Sequence, residues 1–222
     1  MFGIISFLIL SLALGFKHSY DADHIVAVSN ILRKSKSFKS SMDIGFSWAV
    51  GHMATATIIT VLLYIFRESV IKSIVIKSIF GHFEKVVGIM LIIMGLLSLK
   101  DFFPFHFHRH RHGNIIHSHL HLHSKNEPGR HGHKHIFGIG IIHGLASNDE
   151  LLVLFTASLG AGSLGLILLG IGIFSIGVVL GMLLFSFVFT YPLIKLHSEK
   201  IYKIFSLATG FAGIAYGALM IL

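Results

Sequence analysis

Cysteine is absent from this chain of 222 residues. Without thiols the protein can form no disulfide bond and can offer no thiolate to a metal ion. Any soft-metal chemistry therefore falls to imidazole, thioether, carboxylate and backbone groups. Histidine, in contrast, is unusually abundant, with 17 residues.

Charged side chains are also scarce, at 13% of the residues, whereas hydrophobic residues make up 54% and the mean hydropathy is +0.80. This composition is too apolar for an ordinary soluble domain, and we expect the chain to lie in a lipid bilayer. The formal net charge of +8 could suggest nucleic acid as a partner. However, the Lys and Arg residues lie in short runs between apolar segments, where they fix membrane topology instead.

Apolar stretches that could cross a hydrocarbon core of ~30 Å occur about six times. They predict an all-α polytopic membrane protein. The first stretch is anomalous because 31 residues at ~1.5 Å each exceed the thickness of the core, so we expect this span to be tilted or broken near its middle. The predicted spans are residues 2–32, 44–66, 86–99, 136–159, 164–191 and 204–222.

The basic residues between the spans predict an orientation. Thirteen of them fall in the loops on one side and four in the loop on the other. The positive-inside rule then places both termini outside and the basic loops, residues 32–43, 100–135 and 192–203, in the cytoplasm of a cell membrane.

Two halves of the chain are weakly alike. Residues 15–18 parallel residues 140–143, and two glycines seven residues apart recur in the third and sixth predicted spans. Three spans in each half would invert the second copy, and this 3+3 inverted repeat would put a binding site at the midplane. The predicted units are residues 1–99 as the first transmembrane half, 100–135 as a His-rich loop and 136–222 as the second half.

The middle of the first span carries His18, Asp21, Asp23 and His24. An intramembrane charge costs at least ~2.5 kcal/mol, so these groups need pairing, water or a bound cation. Imidazole nitrogen with carboxylate oxygen suits nickel, cobalt or zinc. On a continuous helix Asp23 would point away from the other three, so their convergence requires unwinding. The alternative is a buried His–Asp network that only joins helices.

Here the residues resemble a known family. The spacing His18-x4-Asp23-His24 is similar to the HX4DH signature of the nickel/cobalt transporter family. Residues 46–55 of the second span, FSWAVGHMAT, are similar to that family's second motif, which places His52 after a glycine. The resemblance implies a metal site whose ligands are His18, Asp23, His24 and His52.

Residues 144–150, GLASNDE, resemble the family's third motif, Gly-Phe-Asp-Thr-Ala-Thr-Glu, with Ala146 in place of its Asp. The preceding His143-Gly-Leu start is closer to the related branch of metal-resistance exporters and urease-accessory permeases. We expect several further side chains to support the ligands or to line the ion pathway, namely Asp21, His143, Asn148, Asp149 and Glu150.

The predicted cytoplasmic loop contains eleven His residues, mostly at every second position. This spacing favours a flexible chelating tract that buffers or hands over metal, because i and i+2 side chains diverge in a helix. A disordered linker without a role is the alternative. The His residues concerned are His106, His108, His110, His112, His117, His119, His121, His123, His131, His133 and His135.

The sequence therefore predicts transport of a divalent transition-metal ion, nickel or cobalt first and zinc second, with uptake as the preferred direction. No resident cofactor is required. The partners are the metal ion, the lipid bilayer and, as a candidate, a cytoplasmic metal chaperone. Three alternatives stay open: metal efflux, an intramembrane metalloenzyme, which the missing HExxH pair disfavours, and a proton or small-anion carrier.

Overall fold

The fold is described from a computed structural model, which covers residues 2–65, 75–102, 105–112, 115–122, 133–145, 164–196 and 198–222. Helices dominate these residues, as predicted, and strands occur only within the His-rich loop. The elements are α1 (Phe2–His18), α2 (Ala22–Leu32), α3 (Phe38–Ile65), α4 (Val75–Phe102), β1 (Phe105–His112), β2 (Ile115–Leu122), α5 (His133–His143), α6 (Leu164–Leu196) and α7 (Glu199–Ile221).

Length and hydropathy mark α3, α4, α6 and α7 as helices able to cross a membrane. The pair of α1 and α2, bent by 55°, passes the same test and is a fifth span if the two helices cross together. Five of the predicted spans are thereby found in the described part of the chain. Of the remaining predicted span, residues 136–159, the first part lies in α5 and most of the rest falls outside the described residues. The prediction of an all-α, multi-pass membrane protein is confirmed.

The predicted break in the first span lies between α1 and α2. The Tyr20 amide donates to the Lys17 carbonyl at 2.9 Å and the Asp21 amide to the His18 carbonyl at 3.1 Å, which tightens the end of α1. Asp21 is extended, with φ −64° and ψ 147°, and stands at the N-cap of α2. The sequence favours this break because basic residues end α1 and acidic residues begin α2, each at the complementary pole of a helix dipole.

Helices of the first half pack mainly on helices of the second half. The main pairs are α1 with α6, α3 with α5 and α4 with α7. The helices of the two halves correspond in chain order: α1 corresponds to α5, α3 to α6 and α4 to α7. Exchanging the halves means replacing each helix by its counterpart. The pairs then map onto one another, which is the pattern expected if the two halves are repeats of each other.

Close contacts at glycines also occur at corresponding positions of the two halves. A Cβ added to Gly15 on α1 would overlap the carbonyl oxygen of Phe174 on α6, and one added to Gly140 on α5 would overlap that of Trp48 on α3. Small residues at such positions let membrane helices approach closely. The α4–α7 pair is built likewise, with Gly88 against Gly217 and Gly95 against Gly210.

The His-rich loop differs from the prediction of a flexible tract. Its described residues form two antiparallel strands, here called the hairpin, in which His106, His108 and His110 of β1 are the backbone partners of His121, His119 and His117 of β2. Period-2 spacing is also the period of a strand, and the Gly113-Asn114 dipeptide between the runs is typical of a two-residue hairpin turn. His133 and His135 of the predicted loop lie in the first turn of α5.

Candidate metal centre

Four histidines and one aspartate converge in the interior of the helix bundle. His18 is the last residue of α1, Asp23 and His24 lie in the first turn of α2, His52 lies within α3 and His143 ends α5. All four histidines are completely buried and Asp23 is 5% exposed. The break between α1 and α2 makes this convergence possible, since it turns residues on both sides of the break toward α3 and α5.

Three imidazoles present the same ring atom to one another. The Nε2 atom of His18 lies 3.1 Å from Nε2 of His52 and 3.2 Å from Nε2 of His24. Donors bound at ~2.1 Å to one ion lie ~3.4 Å apart in a tetrahedral site, and ~3.0 Å apart as neighbours in an octahedral one. The spacing found here fits ligands that share an ion, and it also fits an N–H···N hydrogen bond between two imidazoles.

The outer nitrogens of two of these rings are held by carboxylates. His18 Nδ1 lies 3.0 Å from Asp21 Oδ2, and His24 Nδ1 lies 2.9 Å from Asp23 Oδ1. Because an ionised carboxylate only accepts, each Nδ1 carries the proton and donates. The Nε2 atoms of His18 and His24 then face each other as two lone pairs. Such an arrangement favours a cation between them.

Asp23 also reaches the opposite half of the protein. Its Oδ2 accepts a hydrogen bond of 2.9 Å from His143 Nε2. The Nδ1 atom of His143 is buried and has no hydrogen-bond partner among the described residues. Asp23, His24 and His143 also offer ligand atoms within 4.8 Å of one another, so that they form a second group able to hold an ion.

Aromatic rings surround the histidines. Trp48, one turn before His52 on α3, stacks on that imidazole with a centroid distance of 5.1 Å and an interplanar angle of 10°. The Phe174 ring lies 5.5 Å from the His18 ring. Both aromatic side chains are completely buried. They exclude water from the cluster, which strengthens electrostatic interactions within it.

The structure thus brings His18, His24, Asp23 and His52 together, as the sequence predicted for the ligands. Of the supporting residues, Asp21 contacts His18 and His143 contacts Asp23. Asn148, Asp149 and Glu150 lie outside the described residues, as do His123 and His131 of the loop. The loop histidines that the structure does describe belong to the hairpin and to the start of α5.

Three residues near the cluster were missed by the sequence analysis. Lys17 donates to Asp21 Oδ1 at 2.8 Å, and Trp48 and Phe174 contact the histidine rings. A signal existed for Trp48, because it is the only tryptophan of the chain and lies one helical turn before His52. Phe174 takes the place of Trp48 when the halves are exchanged, so the repeat could have pointed to it.

Comparison with known proteins places this architecture in a family. Residues 24–215 match the family model described as the transmembrane region of cytochrome C biogenesis protein. The urease accessory protein UreH of Bacillus sp. (strain TB-90) is 30% identical over 215 residues, which cover 96% of this chain and 90% of UreH. No solved structure matches the chain at comparable significance.

Two nickel transporters match over shorter stretches. The nickel transporter NixA of Staphylococcus aureus is 30% identical over 100 residues, which are 41% of this chain and 28% of NixA. The high-affinity nickel-transport protein NixA of Helicobacter pylori is 31% identical over 88 residues, which are 38% of this chain and 27% of that protein. The chain therefore belongs to the family of the cytochrome C biogenesis protein transmembrane region, and it is a homologue of UreH and of the NixA proteins of the nickel/cobalt transporter family.

Proposed function

We propose that this protein carries a divalent transition-metal ion, nickel or cobalt, across the membrane, and that the ion binds between the imidazoles of His18, His24 and His52. The observation that carries the proposal is the approach of three Nε2 atoms to 3.1 and 3.2 Å, with two of the rings locked by carboxylates on their far side. The names of the NixA relatives support nickel as the ion.

Each supporting residue has a definable task in this proposal. Asp21 and Asp23 fix the ring planes of His18 and His24 and raise the basicity of the Nε2 atoms, as acceptors behind metal-bound histidines do. His143 holds Asp23 in place from the second half. Asp23 is a ligand itself when the ion moves to the neighbouring group that it forms with His24 and His143.

The ion pathway on either side of the site includes residues that lie mostly outside the described part of the chain. Asn148, Asp149 and Glu150 follow α5 and supply polar groups to the pathway from the second half. The His-rich loop, placed in the cytoplasm by the basic residues around it, collects or delivers metal and meets a cytoplasmic chaperone. Both termini lie outside in this arrangement.

The direction we propose is uptake, in line with the resemblance of the HX4DH segment to that of nickel/cobalt transporters. The competing direction is efflux, with the His-rich loop as the collector of cytoplasmic ions. Access would alternate between the two sides of the membrane around the buried site, as in other transporters built from inverted repeats. Zinc is a further candidate ion, because the same ligands suit it.

An enzymatic role is not proposed. The chain has no HExxH pair, and with no cysteine it cannot itself carry out thiol–disulfide exchange. A proton relay along the buried histidines would use the same residues without a metal. Nickel binding that persists when the His-rich loop is replaced by a Gly/Ser linker, and that His18→Ala removes, separates these two uses of the cluster.

The deciding experiment is a flux measurement in proteoliposomes of fixed orientation, with nickel, cobalt, zinc and manganese offered separately on each side. We expect saturable movement of nickel and cobalt, and little movement of manganese, which prefers oxygen ligands. The matched control is the His18→Ala, His52→Ala double variant in the same lipid. Equal flux in the wild type and the double variant would refute the proposal, and the side on which saturable entry occurs gives the direction.

A further inference from the structure

The three proposed ligands are not held in the same way. His18 and His24 are each fixed by a carboxylate on Nδ1. His52 has no such support, because its Nδ1 is buried and has no hydrogen-bond partner among the described residues. An imidazole whose second nitrogen makes no hydrogen bond can turn about the bond that joins it to Cβ. Some other contact must therefore set the plane of this ring.

That contact is with Trp48. The two ring planes differ by 10° and their centroids are 5.1 Å apart, whereas the other ring contacts of His52 are inclined by 37° to 71°. Trp48 and His52 are four residues apart on α3, so the helix itself holds the indole below the imidazole. The stack leaves Nε2 of His52 directed at His18.

The indole is enclosed by its neighbours, while its own Nε1 has no hydrogen-bond partner among the described residues. It is completely buried, and its ring meets the edges of His24 at 5.0 Å and of His143 at 5.3 Å. Behind it, the backbone of Trp48 lies against Gly140 of α5, where a Cβ would overlap its carbonyl oxygen. Helix α5 therefore blocks displacement of this turn of α3.

We propose that Trp48 is a positioning residue for metal binding, which sets the ring plane of His52 by stacking and so does for the third ligand what Asp21 and Asp23 do for the other two. This inference rests on the proposed function, since it concerns the ion site of that function. It assigns a role to Trp48, one of the two aromatic residues in the segment 46–55. The His52 ring is then supported by an aromatic side chain, whereas the His18 and His24 rings are supported by carboxylates.

The first test uses Trp48 as a reporter, because it is the only tryptophan of the chain. Nickel and cobalt ions quench the fluorescence of an indole that lies close to them. Titration of the purified, detergent-solubilised protein with nickel should give saturable quenching, and His18→Ala should remove the saturable part. Undiminished fluorescence at nickel concentrations that saturate binding, measured by equilibrium dialysis, would overturn the placement of Trp48 beside the ion.

The second test measures the positioning role through cobalt, whose visible absorption reports the number and geometry of its ligands. Trp48→Ala should weaken cobalt binding about 10- to 100-fold, the range found for residues that orient metal ligands, and should alter the spectrum. Trp48→Phe keeps a ring over His52 and should restore most of the affinity. Phe185→Ala, which removes a ring that packs against the core away from the histidines, is the control and should leave the spectrum unchanged.

A double-mutant cycle separates positioning from packing. If Trp48 acts through His52, Trp48→Ala should cost little further affinity in a His52→Ala background. Equal losses in both backgrounds would mean that Trp48 only fills space, and would overturn the inference. If Trp48→Ala does not fold, Trp48→Leu takes its place in the same cycle. Equal cobalt and nickel binding in the wild type and in His18→Ala would instead refute the proposed function, because the loop alone would then account for the binding, so the two failures are distinguishable.

Discussion

Asp23 and His143 are joined by a hydrogen bond of 2.9 Å across 120 residues of sequence. The bond links the first turn of α2 to the last residue of α5, so that a carboxylate of one half of the chain is held by an imidazole of the other. The other carboxylate oxygen of Asp23, Oδ1, accepts a hydrogen bond from Nδ1 of His24 and so orients that ring. The geometry of the candidate metal centre therefore depends on contact between the halves.

The first prediction concerns this carboxylate. Asp23→Asn should weaken nickel binding about 10- to 100-fold, because one amide cannot accept from both His24 and His143 as the two carboxylate oxygens do. Binding is measured by isothermal titration in detergent. Asp43→Asn, on α3 two to three turns from His52, is the control and should bind as the wild type does. An unchanged affinity in Asp23→Asn would show that the carboxylate does not orient the site.

The second prediction is that His18→Ala or His24→Ala abolishes nickel transport while the protein still inserts and purifies as a helical species. Each change removes a donor from the three that meet at the site, which should reduce binding by more than loss of a supporting residue does. Flux is followed with radioactive nickel in proteoliposomes. His82→Ala on α4, where the side chain is exposed, should retain transport. Wild-type flux in either ligand variant would contradict the assignment.

The third prediction concerns the His-rich loop. Replacement of residues 105–130 by a Gly/Ser linker should lower the number of metal ions bound per protein and slow transport at low nickel concentration, yet leave transport at saturating nickel intact. The segment joins two predicted spans outside the hydrocarbon core, so its removal exposes no backbone polar groups to lipid. A length-matched variant with Asn at the nine loop histidines between residues 105 and 132 tests the side chains alone. Loss of transport at saturating nickel would make the loop part of the pathway.

The fourth prediction concerns helix packing and uses two glycines of α5. Gly140→Ala would drive a methyl group into the Trp48 carbonyl and should destabilise the protein by roughly 1–3 kcal/mol, as overpacking does. Gly138→Ala meets no atom within 4 Å among the described residues and should be neutral or slightly stabilising. Thermal unfolding in detergent, followed by circular dichroism, compares the two variants. Equal stability of both would indicate that α5 does not pack as described.

The sequence predicted the break in the first span correctly because the argument was local. Asp23 could not join His18 and His24 on a straight helix, and helix-terminal charges lie on both sides of residues 19–21. The convergence of these residues with His52 was expected from the family resemblance. Local rules thus gave the part of the site that a short segment can determine.

Other features depend on contacts distant in sequence or on a choice between two valid patterns. The Asp23–His143 bond and the Phe174–His18 contact require knowledge of how α5 and α6 pack, which no short pattern contains. The alternating histidines fit a strand as well as an extended chelating tract, so the spacing alone does not choose between them. The Gly113-Asn114 dipeptide between the two runs is the sequence feature that favours paired strands. The stack of Trp48 on His52 could have been anticipated from their helical spacing.

The correspondence of helix pairs between the two halves has a consequence for the direction of ion transport. Because the scaffold packs alike after exchange, its outward-open and inward-open forms would be built from equivalent contacts and would differ little in free energy. The histidines follow this exchange only in part, since His143 takes the place of His18 but Val178 takes that of His52. Such a carrier would transport its ion in either direction through the same site. The net direction would then be set by the difference in the ion's electrochemical potential across the membrane.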